Sequence, residues 1–187
     1  SFVVEPDRQD AITRGTLSND DFDGEMDDAS YHIESIEEKG LPVDPINAYN
    51  LFAIYLRWCI EHDLMVEDFL NEYGEVAKQV KADPASVDLR AFIRDKLNGQ
   101  IMVPMFNKIG RAFTSYYYGE PDSPNFPRDI ENYALEYLGP EKYYSDEFQF
   151  KAPLFIPFDE DYYQAMAKVI EERFTNWQGQ DFDEDTL

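Results

Sequence analysis

Asp27, Asp28 and His32 lie within six residues of one another, and two carboxylates beside an imidazole are groups that can relay a proton or hold a divalent cation. Asp27 and Asp28 belong to a longer polar stretch that runs from Asn19 to Ser30. Laid over a calcium-loop template, Asn19, Asp21 and Asp23 fall at alternate ligand positions, Gly24 at the sharp turn and Asp27 near a later position. Ser30 stands where the closing bidentate glutamate belongs. An acidic, solvated loop is therefore the plainer reading, and no metal or cofactor is assigned. A catalytic reading of Asp27, Asp28 and His32 needs a nucleophile or a second set of ligands. His62, the other histidine, falls at the expected end of a helix, which gives it a structural explanation. Cys59 sits between Trp58 and Ile60 and reads as core. No glycine-rich phosphate loop, serine elbow or paired-cysteine motif occurs.

These groups must be carried by helices. Asp44-Pro45 opens one that runs to about His62, with Ile46, Tyr49, Ala53, Leu56 and Ile60 on one face. A second, near Val66 to Val80, buries Phe69, Leu70, Tyr73, Val76 and Val80. Asp83-Pro84 repeats the opening signal for a third, which Asn98-Gly99 stops. A fourth begins near Pro104 and presents Phe106, Ile109, Phe113 and Tyr116 or Tyr117. A fifth spans Asn125 to Leu138, with Ile130, Tyr133, Ala134 and Tyr137 inward. Between Tyr143 and Phe158, apolar residues alternate and prolines recur, which predicts a short edge strand or an extended crossing. Asp159 caps a sixth helix that finishes near Trp177. The expectation is a mainly α, single helical domain of about six helices over 27–178, with a minor extended segment. An irregular acidic stretch, 1–26, precedes it and an acidic tail, 179–187, follows.

The chain has 187 residues, 39 of them Asp or Glu and 16 Lys or Arg, for a net charge of -23. Such an excess of anions excludes direct binding to nucleic acid or to an anionic membrane as a first reading. Aromatic residues at 16% separate it from a disordered acidic tail. The single cysteine, and a first stretch lacking the basic-then-apolar order of a signal peptide, lead us to expect a reduced, cytoplasmic protein.

The string Asp27-Asp28-Ala29-Ser30-Tyr31-His32, followed by the helix Ala48 to Trp58 and its end at Glu61-His62-Asp63-Leu64, resembles an uncharacterised group of small bacterial helical proteins. Some of that group are immunity proteins of polymorphic or contact-dependent toxin systems. The resemblance covers about residues 27–150 and brings no catalytic set. It implies a helical protein that binds a cognate toxin and performs no chemistry.

Charge leads the same way. Toxins that cut nucleic acid are usually basic, and an inhibitor gains from matching acids and aromatic anchors. In the Tyr116-Tyr117-Tyr118 run and the Tyr143-Tyr144 and Tyr162-Tyr163 pairs, a helix cannot bury adjacent side chains on one stripe, so one ring of each pair should face out. Surplus rings and acids coincide at Tyr117, Tyr118, Glu120, Asp122, Glu136, Glu141, Tyr144 and Asp146, the expected surface for a basic toxin. The alternatives are a metal-dependent enzyme centred on Asp27, Asp28 and His32, and an acidic mimic of nucleic acid.

Overall fold

Side-chain caps mark where several of the helical segments begin. The side chain of Asp44 accepts the amide of Ile46 at 3.0 Å, Asn125 that of Arg128 at 3.3 Å and Asp159 that of Tyr162 at 2.9 Å. The computed structural model describes residues 25–119 and 124–179. Among these, strand β1 (Glu25–Asp28) is followed by helices α1 (Ser30–Lys39), α2 (Asn50–Glu61), α3 (Glu67–Ala82) and α4 (Leu89–Lys96). Strand β2 (Gln100–Met102) then leads to α5 (Lys108–Gly119), α6 (Phe126–Leu138), α7 (Pro140–Tyr143) and α8 (Glu160–Gln178). The protein is mainly α and forms one domain, as expected.

Helix α2 is the axis of the core. Phe52, Ala53, Ile54, Tyr55, Leu56, Trp58, Cys59 and Ile60 are all buried, so the helix is surrounded rather than laid against one neighbour, as a helix apolar on every side must be. Helix α8 lies across it through rings, with Phe174 edge-on to Trp58 at 5.4 Å and to Phe113 of α5 at 5.0 Å. Helix α5 comes close to the chain after α2 because residue 110 is glycine. A Cβ there would stand 2.5 Å from the carbonyl oxygen of Leu64.

Several boundaries differ from the sequence reading. The Asp44-Pro45 signal opens a 3-10 turn, Pro45–Tyr49, before the α-helix begins. Pro84 likewise lies in a 3-10 turn, and Asp88 caps α4 instead, accepting the amide of Arg90 at 3.0 Å. Pro104 also sits in a 3-10 turn, and α5 starts at Lys108. In the crossing segment 3-10 turns at Asp146–Phe148 and Ala152–Phe155 replace the expected strand, because Pro153 removes a donor and the backbone folds on itself. Leu70, Ile109 and Tyr137, expected inward, are exposed.

Four elements, β1, α1, β2 and α7, lie outside the expected set. Helix α1 carries few apolar residues, and β1 exists through its antiparallel pairing with β2, which sets Asp27 opposite Ile101 and Asp28 opposite Gln100. The amide of Ala29 continues that register by donating to the carbonyl of Gly99 at 3.0 Å. Asn98 and Gly99 adopt the left-handed conformation expected of that stop, with φ of 57° and 72°.

Candidate functional site

The turn from β1 into α1 separates the three polar residues of the first motif. Asp28 is committed to the backbone and to β2, with Oδ1 accepting the amide of Ser30 at 2.8 Å and Oδ2 accepting Nε2 of Gln100 at 3.1 Å. Burial acts to raise its carboxyl, but those hydrogen bonds outweigh it and hold the group below the ordinary carboxylate range. Asp27 faces the other way and shares a cavity of about 160 Å³ with His32. The two come together, and Asp28 does not join them. Positions 19–24 of the calcium-like stretch lie outside the described residues, and Asp27 and Ser30 belong to a strand and a helix rather than to a loop. No group of three or more His, Cys, Asp or Glu side chains arranged for a metal occurs among the described residues.

His32 is half-buried, edge-on to Tyr31 at 5.5 Å and to Phe52 at 6.3 Å. Burial, reinforced by the ammonium of Lys151, pulls its pKa from an ordinary 6.5 down to about 4. The imidazole is therefore neutral at physiological pH. Lys151 and Glu131 line the same cavity, and neither was legible from the local motif. Lys151 rests over the ring of Tyr31, 4.5 Å from its centroid, and Glu131 accepts the hydroxyl of Tyr143 through Oε2.

His62 and Cys59 have structural roles. His62 stacks on Trp58 with ring centroids 4.0 Å apart, its Nδ1 2.8 Å from the carbonyl of Trp58 and its Nε2 2.8 Å from Glu171. Cys59 is enclosed, and burial pushes its thiol far above the ordinary range.

The expected tyrosine and acid surface divides. Tyr117 is wholly buried and donates to Asp129 at 2.6 Å, so it anchors the interior and not a partner. Tyr118 is partly covered, and its hydroxyl is enclosed. Tyr162 and Tyr163 are both buried, contrary to the expectation of one outward ring per pair. Helix α8 is covered on two sides, so Tyr162 stacks on Tyr133 of α6 at 4.9 Å while Tyr163 lies under the guanidinium of Arg57 of α2 at 3.7 Å. Glu120 and Asp122 lie outside the described residues. Glu136, Glu141, Tyr144 and Asp146 are exposed.

Beside Tyr144 the structure adds a residue that the sequence did not single out. Phe150 is 85% exposed, the most outward large apolar side chain described, and Tyr144 is 65% exposed. Both border one surface depression with Lys39, Asp146 and Gln149. Gln149 and Phe150 have φ of 47° and 62°, a conformation that costs about 1–2 kcal/mol per residue for L side chains. The loop is held there by a reciprocal clasp to the end of α1. Lys39 Nζ donates to the Gln149 carbonyl at 2.8 Å, and Gln149 Nε2 donates to the Lys39 carbonyl at 3.1 Å.

A larger cleft of about 310 Å³ opens between α2, the turn before α4 and the start of α8. Its cations are already paired. Arg57 holds both oxygens of Glu160 at 2.9 and 2.8 Å, and Arg90 reaches Asn47 and Asn50 at 3.2 Å each while its guanidinium covers the ring of Phe158. The polar groups there bind the helices to one another.

No described helix is long and apolar enough to cross a membrane. A family model described as a domain of unknown function, DUF7832, matches residues 25–146. That span nearly coincides with the resemblance read from the sequence, and the match itself carries no toxin or immunity assignment. No curated protein and no solved structure matches the chain.

Proposed function

The chain belongs to the DUF7832 family, and from that premise we propose that it is a binding protein that docks a basic protein partner through the face bearing Tyr144, Asp146 and Phe150, and performs no reaction itself. The supporting observation is the display of Phe150. An apolar ring held in solvent by two consecutive left-handed residues costs folding stability, and such local costs concentrate where a surface serves recognition. Aromatic side chains on a firm backbone are the usual anchors of protein interfaces.

Charge supports a basic partner through the long-range field rather than through local pairing. Around Phe150, Asp146, Glu147 and Glu141 alternate with Lys39, Lys142 and Lys151, so the patch itself is close to balanced. The described residues nevertheless carry a net -13, the other -10 belonging to positions 1–24, 120–123 and 180–187. That field steers cations toward the molecule, and the aromatic patch fixes where they land. A nuclease toxin, basic because it must neutralise phosphates, is the partner class we favour, with occlusion as the mechanism. The metal-centred alternative loses a ligand, since both Asp28 oxygens are committed to Ser30 and Gln100.

The test is co-purification of the protein with the basic product of a neighbouring reading frame, followed by binding measurements at low and high ionic strength. Specific binding that weakens with salt and is abolished by Phe150→Ala supports the reading. Binding that is indifferent to Phe150, Tyr144 and Asp146 removes it.

A further inference from the structure

The cavity behind β1 differs from the larger cleft in one respect: three of its polar side chains, His32, Lys151 and Glu131, keep unused hydrogen-bonding capacity. Neither ring nitrogen of His32 takes a hydrogen bond from the described residues, the ammonium of Lys151 has only the face of Tyr31, and Oε1 of Glu131 is left over once Oε2 has accepted the Tyr143 hydroxyl. In the cleft, by contrast, Arg57 and Arg90 are held by Glu160, Asn47 and Asn50. Polar groups that converge unpaired on a partly enclosed space are the mark of a site that completes its bonding with a ligand.

The charges are arranged in opposition. Lys151 comes from the segment before α8, and Glu131 and Asp27 from α6 and β1, so one cation and two anions border a floor formed by Leu51, Ile130 and Leu154. The neutral imidazole of His32 adds an N–H donor and a lone pair. A volume of about 160 Å³ falls below the roughly 300 Å³ at which pockets for drug-sized ligands begin, and it suits a small molecule with an aliphatic body.

The geometry points to a site for a small zwitterion, an aliphatic amino acid, with its carboxylate on Lys151 and His32, its ammonium on Glu131, and its side chain on Leu51, Ile130 and Leu154. This assignment stands apart from the docking of a basic protein and does not depend on it.

Three probes separate the possible sources of binding: L-leucine, 3-methylbutylamine, which lacks the carboxylate, and 4-methylpentanoate, which lacks the amine. Each is titrated into the whole protein while the imidazole resonances of His32 and His62 are followed, with calorimetry in parallel. L-leucine should shift the His32 signals saturably and leave His62 unmoved, and each half-ligand should bind at least about tenfold more weakly, the loss of one charge-assisted contact. Lys151→Met should bring leucine down to the affinity of the amine, and Glu131→Gln should bring it toward that of the acid. If either variant fails to fold, the three-probe comparison on the unaltered protein still decides. No saturable shift with leucine, or equal binding of leucine and either half-ligand, overturns the assignment.

Discussion

Arg173 of α8 grips Asp129 of α6 through both carboxylate oxygens, with nitrogen to oxygen distances of 3.0 Å each. Asp129 is buried, and Oδ2 also accepts the hydroxyl of Tyr117. The acid therefore ties α5, α6 and α8 together at one point. Its hydrogen bond to Arg173 is the main reason the guanidinium stays protonated to still higher pH than usual. Burial, with Asp129 as acceptor, pushes the Tyr117 hydroxyl well above its ordinary range.

Replacing Asp129 by Ala leaves a buried phenol and a half-buried guanidinium without their acceptor. The expected loss is about 3 kcal/mol, the lower end for removing one member of a buried pair because Arg173 retains partial access to water. Urea unfolding of the variant checks this, and Arg173→Ala should cost less.

Gly110 is required by contact rather than by conformation. Gly110→Ala would press a methyl against the Leu64 carbonyl and against the Cβ atoms of Phe106 and Leu64 at 3.0 and 3.1 Å. We expect a loss of about 2–3 kcal/mol as α5 is pushed off the chain after α2, seen as a fall in the thermal midpoint.

The depressed pKa of His32 makes stability depend on pH. Its folded value, about 4, lies below the ordinary 6.5, so between these values the unfolded chain binds more protons. This group's contribution is complete above pH 6.5 and is lost as pH falls through 4, on the order of 3 kcal/mol in all. Carboxylates titrate nearby, so the check is the difference between unfolding curves of the protein and of His32→Gln at neutral and acid pH.

At Phe150 stability and recognition oppose each other. Phe150→Gly relieves a left-handed backbone and exposes nothing that was buried, so it should raise stability by about 1 kcal/mol while removing the proposed anchor. Parallel thermal melts and binding measurements separate the two effects.

The cap signals at Asp44 and Asp159 were readable because they act within three residues, although the turn that Asp44 caps is 3-10 and not α. The burial of α2 was readable from its apolar run, though not the fact that it is covered on every side. β1 and α1 escaped notice because their justification lies about seventy residues away, in the pairing of Asp28 with Gln100 and of Ala29 with Gly99. The nearness of Asp27 and His32 followed from their spacing, whereas Glu131 and Lys151 join them only through tertiary packing. Tyr117 was misjudged because α5 is covered by α6 and α8 at once. Neither Gln149 nor Phe150 is a residue type that announces a left-handed backbone, so the exposed ring beside Tyr144 could not be foreseen.

Affinity for the basic partner, compared between the protein and Phe150→Ala across a salt series, addresses the proposed function most directly. We predict tight association at low salt that weakens progressively as ions are added, and a loss of at least about 2 kcal/mol on removing the ring. An affinity that stays constant across the series, or a variant that binds as well as its parent, contradicts the account.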